Sequence, residues 1–169
     1  HAPAARVTRM RHRLGRRLAL SPLLWMGVSA TTRHFLAIHM TVGVVNEWTT
    51  QAGYARLAAR AGHPVLSDLL GRIMRQEGRH IDFYLTKARE HLDDSAGAQR
   101  ATRFVMRHLW RPVGASVMPP GEIAHVVRHL FTDGDGRAAA ERIDRRIDRL
   151  PGLGGLGLMA RTVNGVLPR

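Results

Sequence analysis

Glu47 is the only acidic residue in the first 67 positions, and it falls inside an apolar-rich stretch, LAIHMTVGVVNEWTTQAGYARLAARAG. At 100° per residue it shares a helix face with Leu36, Met40, Gly43, Val44, Thr50, Gln51, Tyr54 and Ala58. That face is mostly apolar and should point inward. The next stretch, PVLSDLLGRIMRQEGRHIDFYLTKAREHL, puts Glu77 on a face with Leu66, Leu70, Ile73, Met74, His80, Ile81 and Tyr84. Glu77 and His80, three apart, can serve one point in space. Between the stretches lies Gly62-His63-Pro64, a helix-ending glycine followed by a helix-starting proline. Glu47 stands fifteen residues before Gly62, and Glu77 fifteen after it. A hairpin folded at this turn carries both carboxylates to one level, roughly 22 Å from the turn at about 1.5 Å per residue. Inward carboxylates beside an imidazole need a cation, a shared proton or water, and a metal is the most economical of these.

A Glu on one helix and a Glu-x-x-His on its antiparallel neighbour make half of the carboxylate-bridged dinuclear iron site of ferritin-like bundles. Within that superfamily, NEWTTQAGY (Asn46 to Tyr54) and QEGRHIDFY (Gln76 to Tyr84) most resemble the second half of the soluble acyl-carrier-protein desaturases. The resemblance implies Glu47, Glu77 and His80 as iron ligands, two iron ions in a complete site, and Thr50 as the catalytic threonine at the oxygen site. Tyr84, Gln76 and Tyr54 would stand behind the ligands, Gln76 where the family usually has Asp. It also implies O2-dependent oxidation of an acyl chain, an electron donor, an acidic acyl carrier protein as partner, and a cytoplasmic location. The family's first Glu and first Glu-x-x-His should lie upstream, and this chain has neither. Either ligand helices precede residue 1, or two copies of the hairpin dimerise and share a symmetric site.

The remainder predicts an all-α chain: a ferritin-like helical bundle lacking the first ligand helices, with additional C-terminal helices. Strand-like alternation of useful length is absent. Four parts are expected: a basic N-terminal segment (1–30), the ligand-bearing hairpin (31–92), further helices of the same domain (93–150) and a glycine-rich tail (151–169). Thr31 or Thr32 is the expected cap of the hairpin, and Trp25 and Met26 read as packing residues. No cysteine is present, which excludes disulfides and thiolate metal sites. The longest apolar run, LALSPLLWMGVSA, is too short to cross a bilayer and contains Pro22.

The formal charge of +13 suits an acidic partner, and Arg6, Arg9, Arg13, Arg16 and Arg17 could line one side of a short helix. Since Lys87 is the only lysine among 26 basic residues, arginine usage dilutes that signal, and nucleic acid is not the expected partner. Ala101, Phe104, Val105, His108 and Leu109 fall at helical spacing in a segment ended by Pro112, with His108 the best additional ligand candidate. A helix is expected over Gly121 to Phe131, closed by Gly134 and Gly136. Its His125 and His129 are i, i+4 but lack an obvious third ligand. RAAAERIDRRIDRLPG reads as a surface helix with a narrow stripe of Ile143, Ile147 and Leu150 and charge pairs among Glu141, Asp144, Arg145, Asp148 and Arg149. Two other functions compete: an iron-binding or ferroxidase dimer, and a non-metal basic module binding nucleic acid or an acidic partner, in which an arginine such as Arg75 neutralises Glu47.

Overall fold

The computed structural model describes residues 33–116 and 118–167, and among them every regular element is a helix. The expected N-terminal arm, Trp25, Met26 and the Thr31/Thr32 cap lie outside the described residues. Helix α1 (Phe35–Ala61) ends because Gly62 takes the left-handed conformation (φ 56°, ψ 19°), and its N–H reaches the Ala58 carbonyl at 3.4 Å. Helix α2 (Pro64–Leu92) begins at once. Pro64 needs no N–H there, and His63 Nδ1 accepts the Leu66 N–H at 3.4 Å. The hairpin therefore turns at the residues whose local chemistry demands it.

Helix α3 (Ala96–His108) is capped by Ser95, whose Oγ accepts the Ala98 N–H at 3.1 Å. Its buried residues are Ala98, Thr102 and Met106, while Phe104, His108 and Leu109 face outward. The buried face is thus not the one the apolar spacing suggested. Small side chains let α3 approach α1 closely, and at its end Trp110 Nε1 donates to Asn46 Oδ1 at 3.1 Å.

Helix α4 (Pro120–Phe131) and helix α5 (Gly134–Asp148) are separated by Thr132 and Asp133 alone. The glycines expected to close α4 instead open α5. Asp133 Oδ1 caps the Gly136 N–H at 2.7 Å, and a Cβ on Gly136 would lie 2.6 Å from the Leu130 carbonyl oxygen. Only glycine lets the two helices turn this tightly.

Helix α5 is not a surface helix. Ala139 and Ala140 widen its isoleucine stripe, so that Ile143, Ile147 and Leu150 are all buried against the rest of the bundle. The glycine-rich end is likewise more than a tail: Leu153 and Leu156 are buried, and helix α6 (Leu158–Asn164) packs on α4 and α5. The core joins Val44, Val45 and Trp48 of α1 to residues of every other helix. Helix α1 is the central element, touching α2, α3, α4 and α5, whereas α2 packs chiefly on α1. The result is an all-α helical bundle with one two-helix edge. No described helix is long and apolar enough to cross a membrane.

Candidate metal centre

The hairpin delivers its carboxylates to one place. One donor atom each from Glu47, Glu77 and His80 lies within 4.8 Å of the others, the only such group of three among the described residues. His80 Nδ1 and Glu77 Oε2 are 2.7 Å apart, as i, i+3 neighbours on one helix face allow. Glu47 and Glu77 are half-buried, while the His80 side chain is 63% exposed. The site is therefore a shelf on the open flank of the hairpin, not a closed cavity. Val65, Leu69 and Phe83 stay 71%, 52% and 54% exposed, and they project from the flank of α2 that carries His80.

Electrostatics mark the same point. Burial holds the Glu47 carboxyl above its ordinary range, and the charge of Glu77 and a hydrogen bond with Glu77 push the same way; His80 pulls in the opposite direction. Among the described residues no arginine pairs with Glu47, and exposed Arg75 joins none of their ion pairs. A group whose folded pKa is raised binds more protons in the folded chain than in the unfolded one. Stability of the metal-free chain should therefore fall as pH rises from about 4.5 through the raised value, and Glu47→Gln should flatten that decline. Melting temperatures across pH in chelator, for both chains, measure it; equal slopes would contradict it.

Close packing holds the two helices of the hairpin together. A Cβ on Gly43 would lie 2.6 Å from Cδ1 of the Tyr84 ring, so α1 meets α2 through a missing side chain. Gln51 Nε2, one turn beyond Glu47, donates to the Met74 carbonyl at 3.2 Å. Gly43→Val should cost about 1–3 kcal/mol by overpacking and weaken metal uptake, although no ligand changes. Denaturant unfolding and a metal titration of the same variant check this; unchanged uptake would detach the ligand geometry from the Gly43–Tyr84 contact.

The other expected residues are placed unevenly. Thr50 and Tyr54 are half-buried on the same side of α1 as Glu47, and Tyr84 sits against Gly43. Gln76 is exposed, turned about 100° from Glu77 by the helix. His108 does not join the cluster; its ring lies against Phe104 at 4.8 Å on the surface. His125 and His129 stack at 6.2 Å and gather no third ligand. Asp133 and Asp135 serve Arg56 and Arg60, with Arg60 Nη1 2.6 Å from Asp133. The Gly136 N–H first, with Arg56 and Arg60 behind it, keeps the Asp133 carboxyl below its ordinary range.

Two carboxylates and an imidazole form a donor set suited to a divalent first-row metal such as iron, and less to thiophilic ions. A cation here would also relieve the repulsion that raises Glu47. Three donors are half of an octahedral shell, so the residues present fit one side of a carboxylate-rich centre. Compared with protein-family models, curated proteins and solved structures, the chain matches none of them.

Proposed function

We propose that this chain is the metal-binding half of a ferritin-like dinuclear iron oxidoreductase, acting in the manner of an acyl-carrier-protein desaturase on an acyl chain. The observation that carries this reading is the convergence of Glu47, Glu77 and His80 from two helices onto one point. The resemblance of Asn46–Tyr54 and Gln76–Tyr84 to the desaturase segments supports the substrate class. A second helix pair, from further chain or from another copy, completes the ligand set, and the open flank with Val65, Leu69 and Phe83 is where it would pack.

Iron bound there supplies one-electron chemistry with dioxygen. The chain's own groups do the rest. Glu47 and Glu77 balance the cation charge, and the Glu77–His80 contact fixes the imidazole. The Thr50 hydroxyl, one turn from Glu47, is positioned to hold a proton. Tyr84, packed on Gly43, keeps water from behind the ligands. An acidic acyl carrier protein suits the +13 charge, and the cytoplasm is the matching location.

One observation favours a second reading, iron binding or ferroxidase activity without an organic substrate: His80 is open to water. Anaerobic Fe(II) loading, then oxygen and a reductant with and without an acyl-carrier-protein thioester, separates them. Desaturated or hydroxylated acyl product supports the oxidase. Fe(II) oxidation with the acyl chain recovered intact assigns the ferroxidase.

A further inference from the structure

A second feature adjoins the candidate metal site, about a quarter turn round α1. Trp48 follows Glu47 by one residue, a turn of about 100°, and faces the space between α2 and α5. Two adjoining hollows there, of about 240 and 400 Å³, share Trp48, Gln51 and Arg146. Their apolar floor comes from Trp48, half-buried Met74, Ile81 and Leu85, and buried Ile143. Their rim carries Arg89, Arg142, Arg146 and Arg149, the last three at i, i+4 and i+7 on a single stripe of α5.

The acids of α5 that lie near these arginines are used elsewhere. Glu141 pairs with Arg145 at 3.5 Å. Asp144 accepts the N–H groups of Met159 and Ala160, both at 2.9 Å, which ties down the first turn of α6. Asp148 accepts the Gly155 N–H at 2.8 Å, and Asp135 pairs with Arg56. Among the described residues, no ion pair involves Arg89, Arg142, Arg146 or Arg149. Among the described residues Asp82 is the only carboxylate lining the hollows, so positive charge there is in clear surplus. Arg146 is held over the floor, its guanidinium carbon 5.9 Å from the centre of the Trp48 ring.

We propose that the α2–α5 groove binds an anionic amphiphile, a single alkyl chain with a carboxylate or phosphate head. Guanidinium groups grip such heads in paired hydrogen bonds, and the floor takes the chain out of water. Both hollows are open to solvent above an apolar floor, so a single chain can lie along them with its head among the arginines, whereas an extended polyanion would leave the floor unused. This site does not depend on the metal reading, since none of its residues is a proposed ligand.

The test titrates the full chain with dodecyl phosphate and with dodecanoate, both below their micelle concentrations, against dodecanol and inorganic phosphate, using calorimetry. Both amphiphiles should bind at least tenfold more tightly than either the neutral alcohol or free phosphate. Arg146→Gln combined with Arg149→Gln should weaken them at least tenfold. Arg100→Gln combined with Arg107→Gln, both exposed on α3 and lining neither hollow, should leave binding unchanged. Dodecyl phosphate alone binding would assign phosphate heads to the groove, and dodecanoate alone would assign carboxylates; each keeps the amphiphile. Equal affinity for dodecanol, undiminished binding in the Arg146/Arg149 variant, or no binding by either amphiphile would overturn the proposal. So would a single-stranded oligonucleotide that displaces dodecyl phosphate while binding more tightly through the same arginines, which would make the stripe a polyanion surface.

Discussion

Replacing Glu77 with alanine should abolish stabilisation of this chain by metal while leaving the metal-free fold intact or slightly firmer. Glu77 supplies one of the three donors that meet within 4.8 Å, and its carboxylate also holds His80 at 2.7 Å. Its removal leaves one carboxylate and a freely rotating imidazole. In the wild-type chain, a divalent ion at 100 times its dissociation constant adds about 2.7 kcal/mol, a melting shift of roughly 5–10 °C for a domain of this size. In Glu77→Ala that shift should vanish. The metal-free variant should not melt lower, because the charge and hydrogen bond by which Glu77 raises the Glu47 pKa are gone. Melting curves with and without Fe(II) or Zn(II), for both chains, test this. A metal-induced shift retained in Glu77→Ala would remove Glu77 from the ligand set.

Trp48→Ala should be the costliest single truncation along α1, at about 3–5 kcal/mol. The Trp48 side chain is 4% exposed and belongs to the core that joins α1 to every other helix. It is one of the points at which the α1–α2 hairpin rests on the rest of the bundle, with Arg146 across its face. A loss of that size is a large share of the roughly 5–15 kcal/mol that holds a typical domain together. Trp48→Phe keeps most of the apolar area and should cost much less. Denaturant midpoints of the two variants measure this; similar small losses would mean that the hairpin is stable without α5 beneath it.

The hairpin was legible because its signals are local. Gly62 and Pro64 punctuate the chain through backbone preferences that need no tertiary partner, and equal spacing on either side brings Glu47 and Glu77 level. What could not be read was set by packing between distant segments. Phe104 outranks Thr102 on any hydropathy scale, yet α3 buries Ala98, Thr102 and Met106 and leaves Phe104 outside. Close approach to α1 selected small side chains. Gly134 and Gly136 read as a stop, but Asp133 caps a new helix there, and Gly136 is needed by the Leu130 carbonyl it touches. In α5 the alanines carried the burial that the isoleucines alone did not announce. Of its acids expected to pair with neighbouring arginines, Glu141 does so with Arg145, while Asp144 and Asp148 bind backbone N–H groups of the following segment instead. That exchange frees the arginine stripe, and helical spacing alone gave no sign of it.

Iron content decides whether Glu47, Glu77 and His80 are iron ligands. The chain would be loaded anaerobically with Fe(II), freed of excess metal, and analysed for iron together with the mass of the particle in solution. About one iron per hairpin is expected, half of a two-ion centre, in a particle that brings two hairpins or a further helix pair together. A folded chain that retains no iron under these conditions, in a particle of any mass, would contradict it.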